Sequence, residues 1–336
     1  MVGTMNSGVV VRELDPTEYE LWDELVETSP YGTIFHTIDW LTICRDSFNL
    51  DLNIYGCFHN EELVGGCSLF AHKFKRIFNV ASSTCNMTPY GGILVKRSTR
   101  KRLRNQEELQ NNVLKNVLKH IKEQGFDRVS ITNSTDFIDI RQFSPESWIK
   151  EINYAYYFDL SEDIEAKMPK NMKTIIRKAG QNEIKIKKES NPQCFYDLFK
   201  ETYERQQLAP PAQIEFFEKI LDFLHENHKG EMWIAEMPTG EVAAAEIVIW
   251  DDKRAHRWSS ASNADLKSHN STSLLLYDIF QDLKSRNFKQ INLMAANTPK
   301  ITKFITAFNP KLVPYYTVTS YSTKFDICRQ IINLIR

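Results

Sequence analysis

The sequence has few of the residues that mark fibrous, disulfide-rich or disordered chains. Its 336 residues include only 12 Gly, 12 Pro and 6 Cys, and 25% of them are charged. These proportions exclude a collagen-like or low-complexity chain and leave little room for extended disorder. The length is instead sufficient for a large core and for more than one typical domain.

Long apolar runs and an excess of one charge are also missing. No apolar run approaches the ~18 residues of a transmembrane helix, and the N-terminus lacks the basic and apolar regions of a secretory signal. Lys and Arg number 42 against 43 Asp and Glu, so net charge gives no case for binding DNA. We therefore expect a cytoplasmic protein without membrane insertion. The cysteines form no Cys-x-x-Cys pair, which gives no support for a zinc ribbon, and His225–His228 is one residue short of a zincin motif. We therefore expect no metal site.

The strongest internal signal is a repeat. Residues 118–131 align with residues 280–293, and both read as an amphipathic helix, a tight turn and a short strand. The turn carries Gly125 in one copy and Asn287 in the other, the two residue types that best tolerate a left-handed backbone. Hairpin patterns at 53–69 and 232–248 precede them in the same order. The sequence therefore predicts a duplicated unit.

The periodicity predicts the same alternation of strands and helices in both halves. Strands are expected over 8–14, 52–59, 62–70, 84–95, 126–132, 153–160, 231–237, 241–250, 253–261, 288–294 and 312–324, and helices over 16–28, 37–48, 105–124, 162–180, 191–207, 211–227, 269–287 and 298–308. This order predicts an α/β (α+β) fold with two domains, 1–152 and 153–336. Each domain should have a mixed, mostly antiparallel sheet with helices on both faces.

Four motifs follow one another along the chain: Ile34–Trp40, Thr88–Gly92, Tyr156–Ala179 and Phe304–Tyr315. With the order of elements, they resemble the GNAT superfamily and its FemAB-like members, which are the Fem-type aminoacyltransferases that build peptidoglycan bridges and the BioF2-like acetyltransferases. The resemblance implies tandem GNAT-like domains, with a last strand (312–324) able to return to the first domain. It also implies direct acyl or aminoacyl transfer to an amine, such as that of a cell-envelope precursor.

The sequence differs from the family pattern at two places. Ile305 and Asn309 stand where the terminal motif usually has Lys and Gly, and the loop 265–273 lacks the glycines with which CoA-using enzymes bind pyrophosphate. No cofactor is therefore assigned, and acyl-CoA and aminoacyl-tRNA both stay open as donors. The alternative is a non-catalytic binding module for a nucleotide-linked or RNA ligand.

Three residues are candidates for the general base of amide formation. Glu246 is an acid within an apolar strand pattern, where burial would raise its pKa, although it could equally face solvent or pair with Arg257. His256 alternates on a strand, and His269 precedes a helix where it could meet an anion. Both histidines also fit a purely structural role. No Ser–His or Cys–His nucleophile motif is present, so direct transfer is expected.

The candidate substrate-binding residues fall into three groups. They are Tyr90, Gly91 and Gly92 in a glycine turn; Lys173, Arg177 and Lys178 on a basic helix; and Tyr203, Arg205, Ser271 and Phe304. The glycines permit close approach of a ligand, or simply a tight turn. The basic helix suits the phosphates of a nucleotide-linked substrate or a tRNA, or is a solvated face. Tyr203 and Arg205 are expected to line a cleft between the halves, or to cap a helix.

Overall fold

The computed structural model describes residues 9–98, 102–144 and 148–335. The elements up to the end of the first half are β1 (Val9–Glu13), α1 (Tyr19–Thr28), α2 (Ile38–Phe48), β2 (Asp51–His59), β3 (Glu62–Phe74), β4 (Phe78–Ser82), β5 (Gly92–Val95), α3 (Leu103–Glu123) and β6 (Arg128–Thr132). Those that follow are β7 (Ile149–Asp159), α4 (Ile164–Lys167), α5 (Lys170–Gly180), β8 (Lys185–Glu189), α6 (Pro192–Glu204), α7 (Ile214–Glu226), β9 (Gly230–Glu236), β10 (Val242–Trp250), β11 (Ala255–Ser262), α8 (Ser271–Ser285), β12 (Gln290–Ala295), α9 (Pro299–Thr306), β13 (Lys311–Tyr321) and α10 (Thr323–Ile335).

The chain folds into two compact units. Unit 1 comprises Met1–Asn153 with Tyr315–Arg336, and unit 2 comprises Tyr154–Pro314. In unit 1 the strand order is β1-β2-β3-β4-β6-β13, with β5 paired to β3. Of its strand pairs, β4 with β6 is parallel and the others are antiparallel. The long helix α3 buries Val113, Leu114, Val117 and Ile121 in the core of this unit.

Unit 2 repeats the plan. Its strand order is β7-β12-β11-β10-β9-β8, in which β11 and β12 are parallel and the other pairs are antiparallel. Helices α5 and α8 pack with the apolar side chains of one sheet face, while α6 and α7 place Phe199 and Phe217 on the other face, where Phe217 contacts Trp258. The predicted fold class, a mixed and mostly antiparallel sheet with helices on both faces in each of two similar units, is confirmed.

The turns that close the repeats have the expected backbone. Gly125 has φ of 70° and Asn287 has φ of 68°, so both occupy the left-handed region between helix and strand. In the hairpin of β2 and β3, Asn60 and Glu61 also have positive φ, as a two-residue turn requires.

Several predicted elements differ from those observed. The strand expected over 84–95 is limited to β5, and β4 lies earlier in the chain. The helix expected over 162–180 is divided into α4 and α5, because Met168 and Pro169 take an extended backbone that interrupts it. β8 and α10 were not predicted. Within the described ranges, no helix combines the length and the hydropathy that crossing a bilayer requires.

Candidate active site

The candidate site is a cavity of about 550 Å³ inside unit 2. It lies where two parallel strands separate: β11 pairs with β12 only at Ala255–Ile291 and His256–Asn292. The wall is formed by the later part of β11, the start of α8, the end of α6, and α9. Its lining consists of Thr202, Arg205, Gln206, Arg257, Ser260, Ala261, Ser262, Lys267, Asn270, Thr272, Ser273, Thr298, Ile301 and Phe304.

A β-bulge directs the strand residues that form this wall. Ile247 pairs with Ser259 while Val248 pairs with Arg257, so Trp258 is an extra residue on β11. Trp258 packs against Phe216 and Phe217 on one face of the sheet. Arg257 lines the cavity on the opposite face, since successive strand residues point to opposite sides.

Arg257 is the buried charge of the cavity wall. Only 5% of its side chain is exposed, and its Nη2 donates to Glu246 Oε1 at 2.5 Å. Its guanidinium lies 5.8 Å from the ring of Phe304, which lines the same cavity. The Nε of Arg257 and the Oε2 of Glu246 are both buried without a hydrogen-bond partner. A buried charged donor without a partner is costly, so the unpaired Nε sets Arg257 apart from a fully hydrogen-bonded ion pair.

Glu246 is fully buried on β10, immediately behind Arg257. Burial raises the pKa of its carboxyl group, and the charge and hydrogen bond of Arg257 partly oppose the rise. Glu246 is therefore buried and paired with Arg257 and does not face solvent, and its role as general base stays a prediction. Glu246 does not line the cavity itself.

Unit 1 provides an internal comparison for this pair. In the aligned hairpins, Cys67 on β3 takes the position of Glu246, and it pairs across the strands with Tyr55 and Ile93. Cys67 is fully buried among apolar side chains. The strand therefore folds without a charge at this position, so the fold does not explain the ion pair of unit 2.

Basic side chains outnumber acidic ones in the lining of the cavity. Arg205 and Lys267 join Arg257 in its lining, and none of the described lining residues is acidic. The first turn of α8 also contributes Thr272 and Ser273, and helix N-termini favour negative charge. The turn before it is closed by Asn270, with φ of 56°, so Asn supplies a left-handed conformation in the glycine-free loop.

The two candidate histidines do not line the cavity. His256 is fully buried, and its Nε2 lies 3.2 Å from Asp251 Oδ2. Burial alone would raise the pKa of Asp251. The hydrogen bond and charge of His256 and the backbone amide of Lys253 instead hold this pKa at about 2. His269 lies in the turn before α8, with Nδ1 3.2 Å from the carbonyl of Leu266. These contacts fit a structural role for both rings, and their role as general base stays a prediction.

The basic helix lies elsewhere on unit 2. In α5 the residues Met172, Ile176 and Ala179 face the core. Arg177 and Lys178 are exposed in the last turn, where positive charge is stabilising because it lies near the helix C-terminus. Lys173 is half-buried and, like the other two, does not line the cavity. Their role in holding phosphate stays a prediction.

Of the remaining candidate residues of unit 2, some lie at the cavity and one does not. Arg205 and Phe304 line the cavity, and Ser271 is buried as the first residue of α8, beside lining residues. Tyr203 is not in the lining: its ring packs 4.9 Å from that of Phe199, and burial raises its pKa. The neighbouring family position Ile305 is fully buried in the core of the unit.

The glycine turn belongs to unit 1 and is tightly packed. Tyr90 is 1% exposed, with its ring against Phe35 and Tyr315. A Cβ on Gly91 would lie 1.8 Å from the carbonyl oxygen of Ser83, and Gly92 has φ of 102°. The packing itself thus requires both glycines, and contact with a ligand stays a prediction.

Sequence reasoning missed most of the lining. Arg257 was noted only as a partner for Glu246, and Ser260, Ser262, Lys267 and Thr272 were not singled out. Alternation along β11 was the available signal, but the bulge at Trp258 shifts it by one residue. The described residues contain no group of three or more His, Cys, Asp or Glu that could hold a metal ion.

Comparison with known proteins finds a family model that matches part of the chain. Residues 167–299, which include Glu246 and Arg257, match the family model described as an acetyltransferase (GNAT) domain. None of the curated proteins compared with the chain matches it. The matched family is one of acyltransferases, so it supports acyl transfer as the general class of reaction.

Solved structures share the fold over nearly the whole chain. FemX is 10% identical, with a TM-score of 0.68 over 91% of this chain and 96% of its own. L-PGS from Bacillus licheniformis is 11% identical, with a TM-score of 0.57 over 91% and 92%. A tandem GNAT protein from the clavulanic acid biosynthesis pathway is 11% identical, with a TM-score of 0.55 over 93% and 98%. The predicted resemblance to the GNAT superfamily and to the fold of a Fem-type protein is confirmed.

Proposed function

We propose that the chain transfers an acyl or aminoacyl group to an amine in the cavity of unit 2. The observation that carries the proposal is Arg257, which is buried in the cavity wall with its Nε unpartnered. The match of residues 167–299 to an acetyltransferase domain supports the class of reaction. The acceptor amine, such as that of a cell-envelope precursor, comes from the family resemblance alone.

Arg257 has the chemistry to stabilise the transition state of this reaction. The amine nitrogen attacks the carbonyl carbon of the donor, and the carbonyl oxygen becomes negatively charged as the C–N bond forms. An N–H donor fixed at that oxygen binds the transition state more tightly than the ground state. The bond to the leaving oxygen or sulfur then breaks, and the leaving group takes up the proton that the amine releases. Transfer is direct and forms no bond to the enzyme.

Glu246 acts in this mechanism by positioning Arg257. The 2.5 Å contact and the burial of both side chains hold the guanidinium in one orientation. Because Glu246 does not line the cavity, we assign it this role before that of the general base. The remaining candidates for the base, His256 and His269, stay predictions.

The donor carries phosphate in this proposal. Acyl-CoA and aminoacyl-tRNA share that group, and Arg205, Lys267 and the first turn of α8 offer positive charge at the cavity. The acyl or aminoacyl group of the donor enters the cavity, and the phosphates of the donor bind beside Arg205, Lys267 and the first turn of α8.

Turnover assays test the proposal directly. Acetyl-CoA and aminoacyl-tRNA are each incubated with a panel of amines, and the new amide is detected by mass spectrometry. With the pair that turns over, Arg257→Lys keeps a cation beside Glu246 but loses the planar donor set. We expect kcat to fall about 10²-fold with KM little changed. Arg45→Lys, on a partly exposed side chain of unit 1, is the matched control. A folded Arg257→Lys enzyme with the wild-type rate would overturn the role of Arg257.

The pH profile of Glu246→Gln separates its two roles. Loss of a positioning residue lowers kcat at every pH and leaves the acidic limb of the profile in place. Loss of a general base removes that limb. Retention of the limb supports the assignment given above.

A binding module is the second candidate. Ile305 is buried in the core, so no polar side chain stands where the family usually has Lys. Thermal stabilisation by a phosphate-bearing ligand, without turnover of any donor, would favour this candidate.

A further inference from the structure

Two cysteines that are distant in the sequence meet in unit 1. Cys44 lies on α2, and Cys85 lies in the loop between β4 and β5. The sulfur of each is 3.4 Å from the hydroxyl oxygen of Thr88, so the two sulfurs are at most twice that distance apart. Cys44 is fully buried and Cys85 is half-buried. The cluster belongs to unit 1 and shares no residue with the lining of the cavity in unit 2.

We propose that Cys44 and Cys85 form a reactive dithiol site that exchanges with low-molecular-weight disulfides of the glutathione class. The thiolate of Cys85 attacks one sulfur of the disulfide, whose S–S bond breaks and releases one thiol. The thiolate of Cys44 then attacks the Cys85 sulfur of the mixed disulfide and releases the second thiol. One protein dithiol and one small disulfide thus become one protein disulfide and two small thiols.

The surroundings assign the order of attack. Cys85 is the accessible member of the pair, and a hydrogen bond from Cys44 lowers its pKa. Burial raises the pKa of Cys44, which suits a resolving thiol that reacts only after Cys85 has been modified. Cys57 is buried and Cys194 is half-buried, and burial raises the pKa of each. The pair therefore differs from Cys57 and Cys194 in geometry and in the direction in which the pKa of Cys85 is shifted.

The site has a built-in optical reporter. The indole N–H of Trp40 donates to the same Thr88 hydroxyl at 3.1 Å. A bond between the two sulfurs changes the contacts of the Thr88 hydroxyl, so we expect the polar environment of Trp40 to change with it.

The experiment uses the whole reduced protein and mixtures of oxidised and reduced glutathione. After the remaining free thiols are blocked in denaturant, intact mass should show two fewer blocking groups than the blocked reduced protein, and peptide mapping should show a Cys44–Cys85 crosslink. Cys85 should react about tenfold faster than Cys194. Tryptophan emission should change in step with the crosslink, and the change should be absent in Trp40→Phe.

Two variants complete the test. Cys44→Ala should stop at a stable glutathione adduct on Cys85, and Cys194→Ser should behave as the wild type. The crosslink in the unaltered protein decides the matter even where Cys44→Ala is poorly folded. A wild-type protein that accumulates only mixed adducts, or that modifies Cys194 as fast as Cys85, would overturn the proposal.

Discussion

At the scale of single residues, the ion pair of Glu246 and Arg257 is the feature that the fold does not require. Removing two charges from water is expensive, and their attraction offsets that cost only in part. Unit 1 places Cys67 at the position of Glu246 and folds around an apolar core. We therefore relate the desolvation cost of the ion pair in unit 2 to the function of the cavity that Arg257 lines.

The stability of variants tests this interpretation. Arg257→Met leaves the Glu246 carboxylate buried and unpaired, so we expect the free energy of unfolding to fall by about 3–5 kcal/mol. The double variant Glu246→Leu/Arg257→Met removes both charges, and it should recover most of this loss while acyl transfer stays impaired. Urea unfolding measures both. A double variant no more stable than the single one would show that the pair is needed by the fold.

The pairing of Asp251 with His256 predicts a dependence of stability on pH. Hydrogen bonds hold the pKa of Asp251 at about 2 in the folded chain, below its ordinary value of 3.8. The folded state therefore gains stability above pH ~4, and this gain is lost as the pH falls through 2. At neutral pH the gain is about 2 kcal/mol. The free energies of unfolding of wild type and Asp251→Asn should thus converge as the pH falls from 4 to 2. Plots of these free energies against pH that stay parallel would contradict the assignment.

The residues of the site could be predicted only where one side chain breaks a pattern. Glu246 stands out as an acid in an apolar strand, and the structure places it behind the cavity wall. Arg257 lies beside a bulge at Trp258 that no residue type signals. His256 alternates with it on the same strand, so it faces the opposite side of the sheet, where it is buried against Asp251 of the preceding turn.

At the scale of elements, turns with glycine or asparagine were predictable and the others were not. Lys75 and Arg76 have φ of 48° and 65° in the turn between β3 and β4. Neither residue type signals a left-handed turn, so β4 was missed and the next strand was expected over 84–95. Asn309, where the family has Gly, has φ of 61°, so that departure preserves the backbone conformation.

The start of α8 offers a test of the same principle. Asn270 has φ of 56°, and its carbonyl accepts from the amides of Ser273 and Leu274 in the first turn. A Cβ disfavours this conformation except in Asn and Asp, so Asn270→Ala should lose about 1 kcal/mol of stability. Asn270→Gly, which adopts the conformation freely, is the matched control and should stay close to wild type. Equal losses in both variants would place the effect in the Asn side chain instead.

At the scale of the whole molecule, unit 1 is built from two separate segments of the chain, and unit 2 lies between them in the sequence. The chain leaves unit 1 after Asn153, builds unit 2, and returns at Tyr315. The returning strand β13 pairs with β6 from Thr317 to Tyr321, and Val318 is fully buried in the core of unit 1. Unit 1 thus depends on residues that follow unit 2.

Truncation measures this dependence. A chain ending at Pro314 uncovers the edge of β6 and removes Val318 from the core, so unit 1 should lose its cooperative structure and associate through the open edge. Hydrogen exchange should then show loss of protection in α3 and β6 while α8 and β10 stay protected, because the latter pack in the core of unit 2. A chain ending at Ser322 keeps all of β13 and removes only α10, so it should retain protection in both sets. Protection of α3 and β6 in the shorter chain at the wild-type level would show that the core of unit 1 is complete without its last strand.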